Sequence, residues 1–447
     1  MFRTIINAFK DKEIRKKILF TLALLLMYRI GCFVPIPGLD VQAMGLTTIA
    51  NNDFLQLLST VTGSAFSNGT IFALGIVPFI NSYIIMELLT LIIPKLGKLA
   101  KEGEDGRKKI TQYTRYLAIL LALVQAIGIM FVWREYISPV FGTTPDVAAN
   151  SVNEIFTMIC IVVILVGGSS LVMWIGERIT EYGVGNGTSL IIFIGIVSSL
   201  GSTILNAFIT IPQQVQSGNS TGIWYLLGFF AIIFLLILAI VYVDMSERRI
   251  GVIYSGGRIV GNRQTQSQTT YIPLKVSAGG VMPIIFASSL IMFPQMIIQF
   301  GGWSTSKFGL FWSEWMGTNG NLYAPFMFLL IIFFAYFYAQ IQFDPDDVAK
   351  NLKERGGTLV GGISPGKPTS EYLRRINHRL TLFGALFLAT VALVPTLILQ
   401  QVDGFSDLGF GQAFSATGLL IVVSVALEFD KQLQGQLLVK NNKGFLK

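Results

Sequence analysis

Ten mainly apolar stretches, each near the length a helix needs to cross hydrocarbon, divide this chain of 447 residues. They fall at about 18–34, 76–93, 116–133, 155–175, 188–209, 223–243, 274–299, 324–343, 380–399 and 414–429. A bilayer core about 30 Å thick takes about 20 helical residues. The basic residues sort around these windows. With Arg29 set aside inside the first, 30 of the 33 Lys and Arg residues fall in the two tails and the even-numbered loops, and 2 in the odd-numbered loops. Lys and Arg gather on the cytoplasmic side, so both termini are expected there. Ten spans split five and five give halves, 1–210 and 211–447, that enter the membrane from opposite faces. That is the geometry of an inverted repeat, whose working region lies where the halves meet. With 52% hydrophobic and 13% charged residues, an all-α membrane protein is the expected class and a soluble multidomain protein is excluded. The basic run before the first window imitates a secretory signal, but no small-residue cleavage site follows it, so it is read as the first span.

Catalytic and metal chemistry is not indicated. Cys32 and Cys160 both fall in apolar runs, the one histidine, His378, lies in a basic loop, and no Ser-x-x-Lys, Gly-x-Ser-x-Gly or phosphate-cradling motif occurs. GVGNG at 183–187 lacks the strand and lysine of a phosphate loop and reads as a tight turn that starts a helix. Charges at membrane depth, which mark ion pathways, are few. Arg29 in the first window is assigned to structural pairing with a neighbouring helix; Glu87 in the second is the better functional candidate, against a plain hydrogen bond to its neighbour.

The stretch 52–94 is made of unequal halves hinged at Gly75. Residues 76–93 are apolar enough to cross most of a bilayer, whereas 52–69 are rich in Ser, Thr, Asn and Gly and carry no Lys or Arg. Such a segment sits at membrane depth only where protein or trapped water surrounds it, so it is read as a movable plug. Two large loops have their own structure. In 244–273 the alternation of RRIGVIY predicts a β-hairpin; in 344–379 DPDDVAKNLKERG predicts a helix, GGISPGKP a turn, and TSEYLRRINHR a second basic helix. Loops of this size with their own elements serve to dock partners.

Four motifs in order, IFALGIVPFINSYIIMELL, YGVGNGTSLIIFIGIV, YIPLKVSAGGVMPIIFASSLIMFP and NLKERGGTLVGGISPGKPTSEYL, closely resemble the SecY/Sec61 alpha family, the pore subunits of protein-conducting channels. FVPIPGLD and KEGEDGRKKITQYTRY extend the likeness nearly from end to end. The resemblance implies ten transmembrane helices in two inverted five-helix halves around an hourglass pore, with a plug and a lateral gate to lipid. It places the constriction ring on Ile76, Ile80, Thr188, Ile192, Ile285 and Ile421, and the plug on 52–69, with Phe54, Leu57, Leu58, Thr62, Gly63, Ser64, Phe66 and Ser67. Its lateral gate runs between the second and third spans and the seventh and eighth, where Asn81, Ser82 and Glu87 face Ser288 and Ser289. The sixth and eighth loops become docking arms, with Arg248, Arg249, Arg258, Arg263, Lys353, Arg355, Lys367, Arg374 and Arg375 as contacts. The partners implied are the small membrane subunits SecE and SecG, the SecA motor ATPase, the ribosome, membrane lipid, and secretory and membrane protein substrates bearing signal sequences. The expected setting is the bacterial plasma membrane, with no catalysis, cofactor or metal.

The chain departs from the family pattern in two places. Thr188 keeps the β-branch of an aliphatic ring member but adds a hydroxyl, which predicts a slightly wetter constriction. The eighth-loop turn has Ser364 where the family usually has Arg, leaving Lys367 to supply the charge or motor coupling to differ. Two other functions remain open: an accessory paralogue for few substrates, which Ser364 keeps in view, and a ten-span secondary transporter, which predicts convergent midplane charges.

Overall fold

The computed structural model describes residues 6, 8–40, 59, 62–137, 147–216, 221–254, 269–277, 279–301, 303, 306–317, 320, 322–401 and 416–444. Phe54, Leu57, Leu58, Arg258 and Arg263 lie outside them. Its helices are α1 Lys12–Gly31, α2 Val77–Ile92, α3 Pro94–Lys101, α4 Glu104–Val132, α5 Val147–Tyr182, α6 Gly187–Gln216, α7 Thr221–Asp244, α8 Met282–Phe300, α9 Lys307–Met316, α10 Tyr323–Gln342, α11 Pro345–Glu354, α12 Lys367–Gln401 and α13 Ala416–Gly444. The strands are β1 Glu247–Tyr254, β2 Thr269–Lys275 and β3 Gly357–Leu359.

Local chemistry explains where these helices start. The Asp11 carboxylate accepts from the backbone N–H groups of Glu13 and Ile14 at 2.9 and 3.3 Å, capping α1. α2 opens on a proline in its first turn, where the missing N–H costs nothing. α4 follows Gly103 at φ +84° and carries Glu104 and Asp105 in its first turn, where carboxylates complement the helix dipole. Asp344 caps α11 in the same way as Asp11 caps α1.

Each apolar window lies mainly on a helix, but several boundaries differ. The seventh window starts too early: Leu274 and Lys275 are the end of β2, and the helix begins at Met282. The second basic helix of the eighth loop is continuous with the ninth window, because Pro368 sits where a helix tolerates it, at the start, and no breaker follows until Pro395. Residues 104–115 likewise extend α4 about 18 Å beyond the apolar window, at 1.5 Å per residue. Among the described residues α4, α5, α7, α10 and α12 are long and apolar enough to cross a bilayer by length and composition, and α2 with α3 forms a pair bent by 108° at Ile93.

α1, α2, α4, α5 and α6 pack around one another, as do α7, α8, α10, α12 and α13; α8 meets α4, and α6 meets α7 and α13. β1 lies between β2 and β3, antiparallel to both. Val252 faces Thr270 on β2 and Leu359 on β3, so the sixth and eighth loops are one unit. Ile250, Val252, Leu274, Leu352, Leu359 and Leu373 form its own buried core.

Candidate functional site

Gly75, at φ +54°, turns the chain into α2, and its carbonyl accepts from the Ser169 hydroxyl of α5 at 3.2 Å. That fixes the start of α2 and turns Ile76 inward, where it is 3% exposed. α6 starts by a different device. The Asn186 side-chain oxygen accepts from the Thr188 backbone N–H at 3.1 Å and from the Thr188 hydroxyl at 2.7 Å, while the Gly187 N–H donates to the Thr180 hydroxyl at 2.9 Å. A β-carbon on Gly187 would lie 1.9 Å from the Gly176 carbonyl oxygen, so α5 and α6 cross here only because the residue is glycine. GVGNG is therefore a helix start, as its sequence predicts.

These two starts bring the ring candidates together. Ile76, Ile192 and Ile421 belong to one buried cluster, and Ile80 and Ile285 pack against it. The methyl of Thr188 and the Cδ1 of Ile76 both approach Gly176, which a β-carbon there would meet at 3.5 and 3.6 Å. Ile191, Ile196 and Val425 belong to the same cluster, as do Tyr28, Phe72 and Val172, with Phe79 at its edge. Composition gave no means of separating them from the many other aliphatic helix positions.

A cavity of about 440 Å³ opens onto this cluster. Ile80, Thr188, Ile192 and Ile285 line it together with Arg115, Glu177, Glu181 and Asn186, so an apolar floor meets a polar wall. Arg115 of α4 donates to Glu177 of α5 at 2.7 Å across that wall. Because Asn186 already engages the Thr188 hydroxyl, the extra polarity at the floor is less than the sequence suggests. Replacing Thr188 with Ile is expected to lower the resting ion leak only modestly in reconstituted membranes; a rise would mean that the hydroxyl is not at the constriction.

The seam between α2 with α4 and α8 with α10 is mainly apolar. Ile84 of α2 shares a buried core with Ile284, Phe286, Ala287 and Ile291 of α8 and with Met327, Ile331 and Phe334 of α10. Phe286 meets Phe334 edge-on at 5.7 Å and Tyr338 at 5.9 Å. The expected polar contacts are arranged differently. Ser82, fully buried, donates to the Thr114 carbonyl of α4 at 2.5 Å, and Ser288 donates to the Ile285 carbonyl of its own helix at 3.0 Å, so neither bond joins the two faces. Ser289 is half-buried. Asn81 and Glu87 each keep one enclosed oxygen without a hydrogen bond. Glu87 lies within electrostatic reach of Tyr83 and, across the seam, of Tyr338.

The last part of the expected plug is tightly built into the fold. Phe66 is 1% exposed and its ring lies 5.2 Å from that of Trp133, in a core shared with Ile36, Ala73, Leu74, Ile129, Ile161 and Leu165. Ala65 is fully buried, Thr62 is 1% exposed, and the Ser67 hydroxyl donates to the Ser64 carbonyl at 2.9 Å. The reading of 52–69 as a segment that leaves cheaply does not suit 65–69, since burying a phenylalanine contributes roughly 1.5–3 kcal/mol. Gly63 and Ser64 both have positive φ, +64° and +68°, and mark a turn at the edge of that core.

A SecY family model matches residues 70–429. The protein translocase subunit SecY of Streptomyces scabiei is 41% identical over 459 aligned residues, with both chains covered in full. The chain belongs to the SecY family. Its fold is also that of a solved protein-conducting channel, at TM-score 0.64 and 20% identity over 94% of this chain and 91% of the other. A structure of Sec61 in the canine ribosome-channel complex from the endoplasmic reticulum gives TM-score 0.61 at 19% identity, again over 94% and 91%. The SecY fold thus accounts for the helical membrane architecture described above.

In this SecY-family chain the basic arm residues are exposed: Arg248 and Arg249 on β1, Lys353 on α11, Arg355 just after it, and Lys367, Arg374 and Arg375 on α12. They are not equally free. Arg249 bonds Glu247 at 2.7 Å, which pushes its guanidinium pKa further up, and stacks on Tyr271 at 4.9 Å. Arg374 pairs with Asp346 at 2.7 Å, so its charge is largely offset locally. Ser364 is exposed in a turn held by the Thr369 hydroxyl on its carbonyl at 2.8 Å and by left-handed Gly361, Gly362 and Gly366.

Proposed function

We propose that this chain is the central pore subunit of a general protein translocase, conducting unfolded secretory polypeptides across the plasma membrane and releasing membrane segments sideways into lipid. The observation that carries this reading is the apolar cluster that gathers Ile76, Ile80, Ile192, Ile285 and Ile421, onto which a polar-walled cavity lined by Ile80, Thr188, Ile192 and Ile285 opens. Branched apolar side chains pack around an extended chain without holding any sequence tightly, and when the path is empty they exclude water and ions. No nucleophile, base or metal is needed for that task, so the chain works as a passive conduit, not an enzyme.

In this reading the spans number ten, in halves 1–210 and 211–447 that face each other across the pore, with both termini cytoplasmic, and the plug is the stretch ending near Gly63. The lateral gate is the α2/α4 seam with α8/α10. It is held mainly by apolar packing, with Asn81, Glu87 and Ser289 as its polar members, and an entering apolar signal helix competes for the same surface. The exposed Arg248, Arg249, Lys353, Arg355, Lys367 and Arg375 form a positive face suited to ribosomal RNA phosphates and to acidic faces of the SecA motor. The ribosome-bound Sec61 relative supports the first of these. SecE and SecG are the small membrane partners.

Depletion of the protein tests the assignment. Broad accumulation of uncleaved secretory precursors is the expected result. Accumulation of a handful would favour an accessory paralogue, and a defect in one solute would favour a transporter.

A further inference from the structure

Arg29 is the only Lys or Arg inside the ten apolar windows apart from the boundary residue Lys275, and among the described residues no carboxylate pairs with it. A charge at membrane depth is costly unless something compensates it. Here the compensation comes from the segment that follows. Arg29 Nη1 donates to the Gly63 carbonyl at 2.8 Å, and its guanidinium lies 4.9 Å above the Phe33 ring. It stands in the last turn of α1, where a cation also suits the helix dipole.

The contact on the other side of Gly63 is equally close. A β-carbon on Gly63 would lie 2.9 Å from Arg29 Nη1 and 2.9 Å from the Cα of Gly195. Gly195 is three residues beyond Ile192 on α6, so the Gly63 turn is pressed backbone to backbone one helical step from the ring candidates. Gly63 and Ser64 take left-handed φ values there, and beyond them Ala65 and Phe66 enter the fixed core.

We propose that Arg29 is a positioning residue of the resting seal: it clamps the Gly63 carbonyl and thereby seats the 62–64 turn against α6 beside the ring. The proposal rests on the channel reading above. It gives the arginine a partner that exists only while the turn is seated, so displacing the turn leaves a positive charge facing the outer funnel. A hydrogen bond to a charged group is strong enough that its loss raises the unseated population by roughly tenfold. Lysine retains a donor and the charge; methionine retains only the length.

The test uses the chain purified with its native membrane partners, reconstituted into planar bilayers for resting conductance and into vesicles for precursor transport. Arg29→Met and Gly63→Ala are expected to raise resting conductance several-fold, Arg29→Lys to stay near the parent, and the double variant R29M/G63A to leak no more than the worse single one. Export of precursors with weakened signals rises along with the leak. Parental conductance in both R29M and G63A overturns the proposal. So does a loss of transport and thermal stability shared equally by R29M and R29K, which marks a purely structural residue. Should R29M fail to assemble, G63A against R29K still decides by conductance. A parent that carries ions but no precursor in the same vesicles overturns the channel reading instead, which keeps the two failures apart.

Discussion

Alanine at Phe66 is expected to destabilise the folded chain by about 3–5 kcal/mol, the usual cost of truncating a fully enclosed aromatic. The ring is 1% exposed and fits against Trp133, itself 1% exposed, at the point where α4 ends and the chain after α1 returns. The surrounding core is contributed by α4, α5 and the 62–76 turn together, so no single element can relax into the hole. Thermal unfolding in detergent measures the loss. A double-mutant cycle with Trp133→Ala should show coupling of about 0.5–1.5 kcal/mol, the excess typical of an aromatic pair. The neighbouring Ser67→Ala serves as the control, since it removes only two half-buried hydroxyl bonds, to the Ser64 carbonyl and from the Ser59 hydroxyl, and costs about 1–2 kcal/mol. If F66A were as stable as the parent, residues 65–69 would have to leave the core at no cost, and the plug would extend to Gly69.

The second large effect is expected at Leu373, fully buried where α12 supports the three-stranded sheet. Leu373→Asp places an unpaired carboxylate among Ile250, Val252, Leu352 and Leu359, a penalty of several kcal/mol. The sheet should separate from α12 and both arms become sensitive to protease, while insertion of the spans proceeds. If the arms dock partners as proposed, partner-stimulated transport should fall much further than the amount of protein in the membrane. Leu373→Ala, costing about 2–5 kcal/mol, should give a milder form of the same defect. An unchanged proteolysis pattern in L373D would show that the arms stand without this core.

Much of the fold was legible because hydrocarbon imposes a length and the cell interior imposes a charge bias, and both are written in runs of residues. The β-hairpin was visible in the alternation of RRIGVIY for the same reason. What escaped was non-local. β3 pairs with β1 about a hundred positions away, through Val252 with Leu359 and Ile253 with Thr358, and no window of sequence contains both. The last two residues of β2, Leu274 and Lys275, fell inside the seventh apolar window because the strand runs straight into an apolar stretch, although Lys275 hinted otherwise. In the site, the hydrogen-bond partner of Arg29 is the backbone carbonyl of Gly63 in a turn, which has no letter in the sequence, and not a group on a neighbouring helix as expected. The family resemblance sets Ser82 at the seam, yet its hydroxyl is spent on the Thr114 carbonyl.

α12 runs for 35 residues without interruption, from the turn beside the sheet to Gln401, and packs on α10 and α13 along the way. A connector of glycine and serine would have let a visiting partner tug on the arms with no effect deeper in. Here there is no slack to take up between Lys367 and Gln401. A pull on the sheet is expected to be passed along α12 at least as far as Pro395, past the helices that carry Phe334 and Ile421.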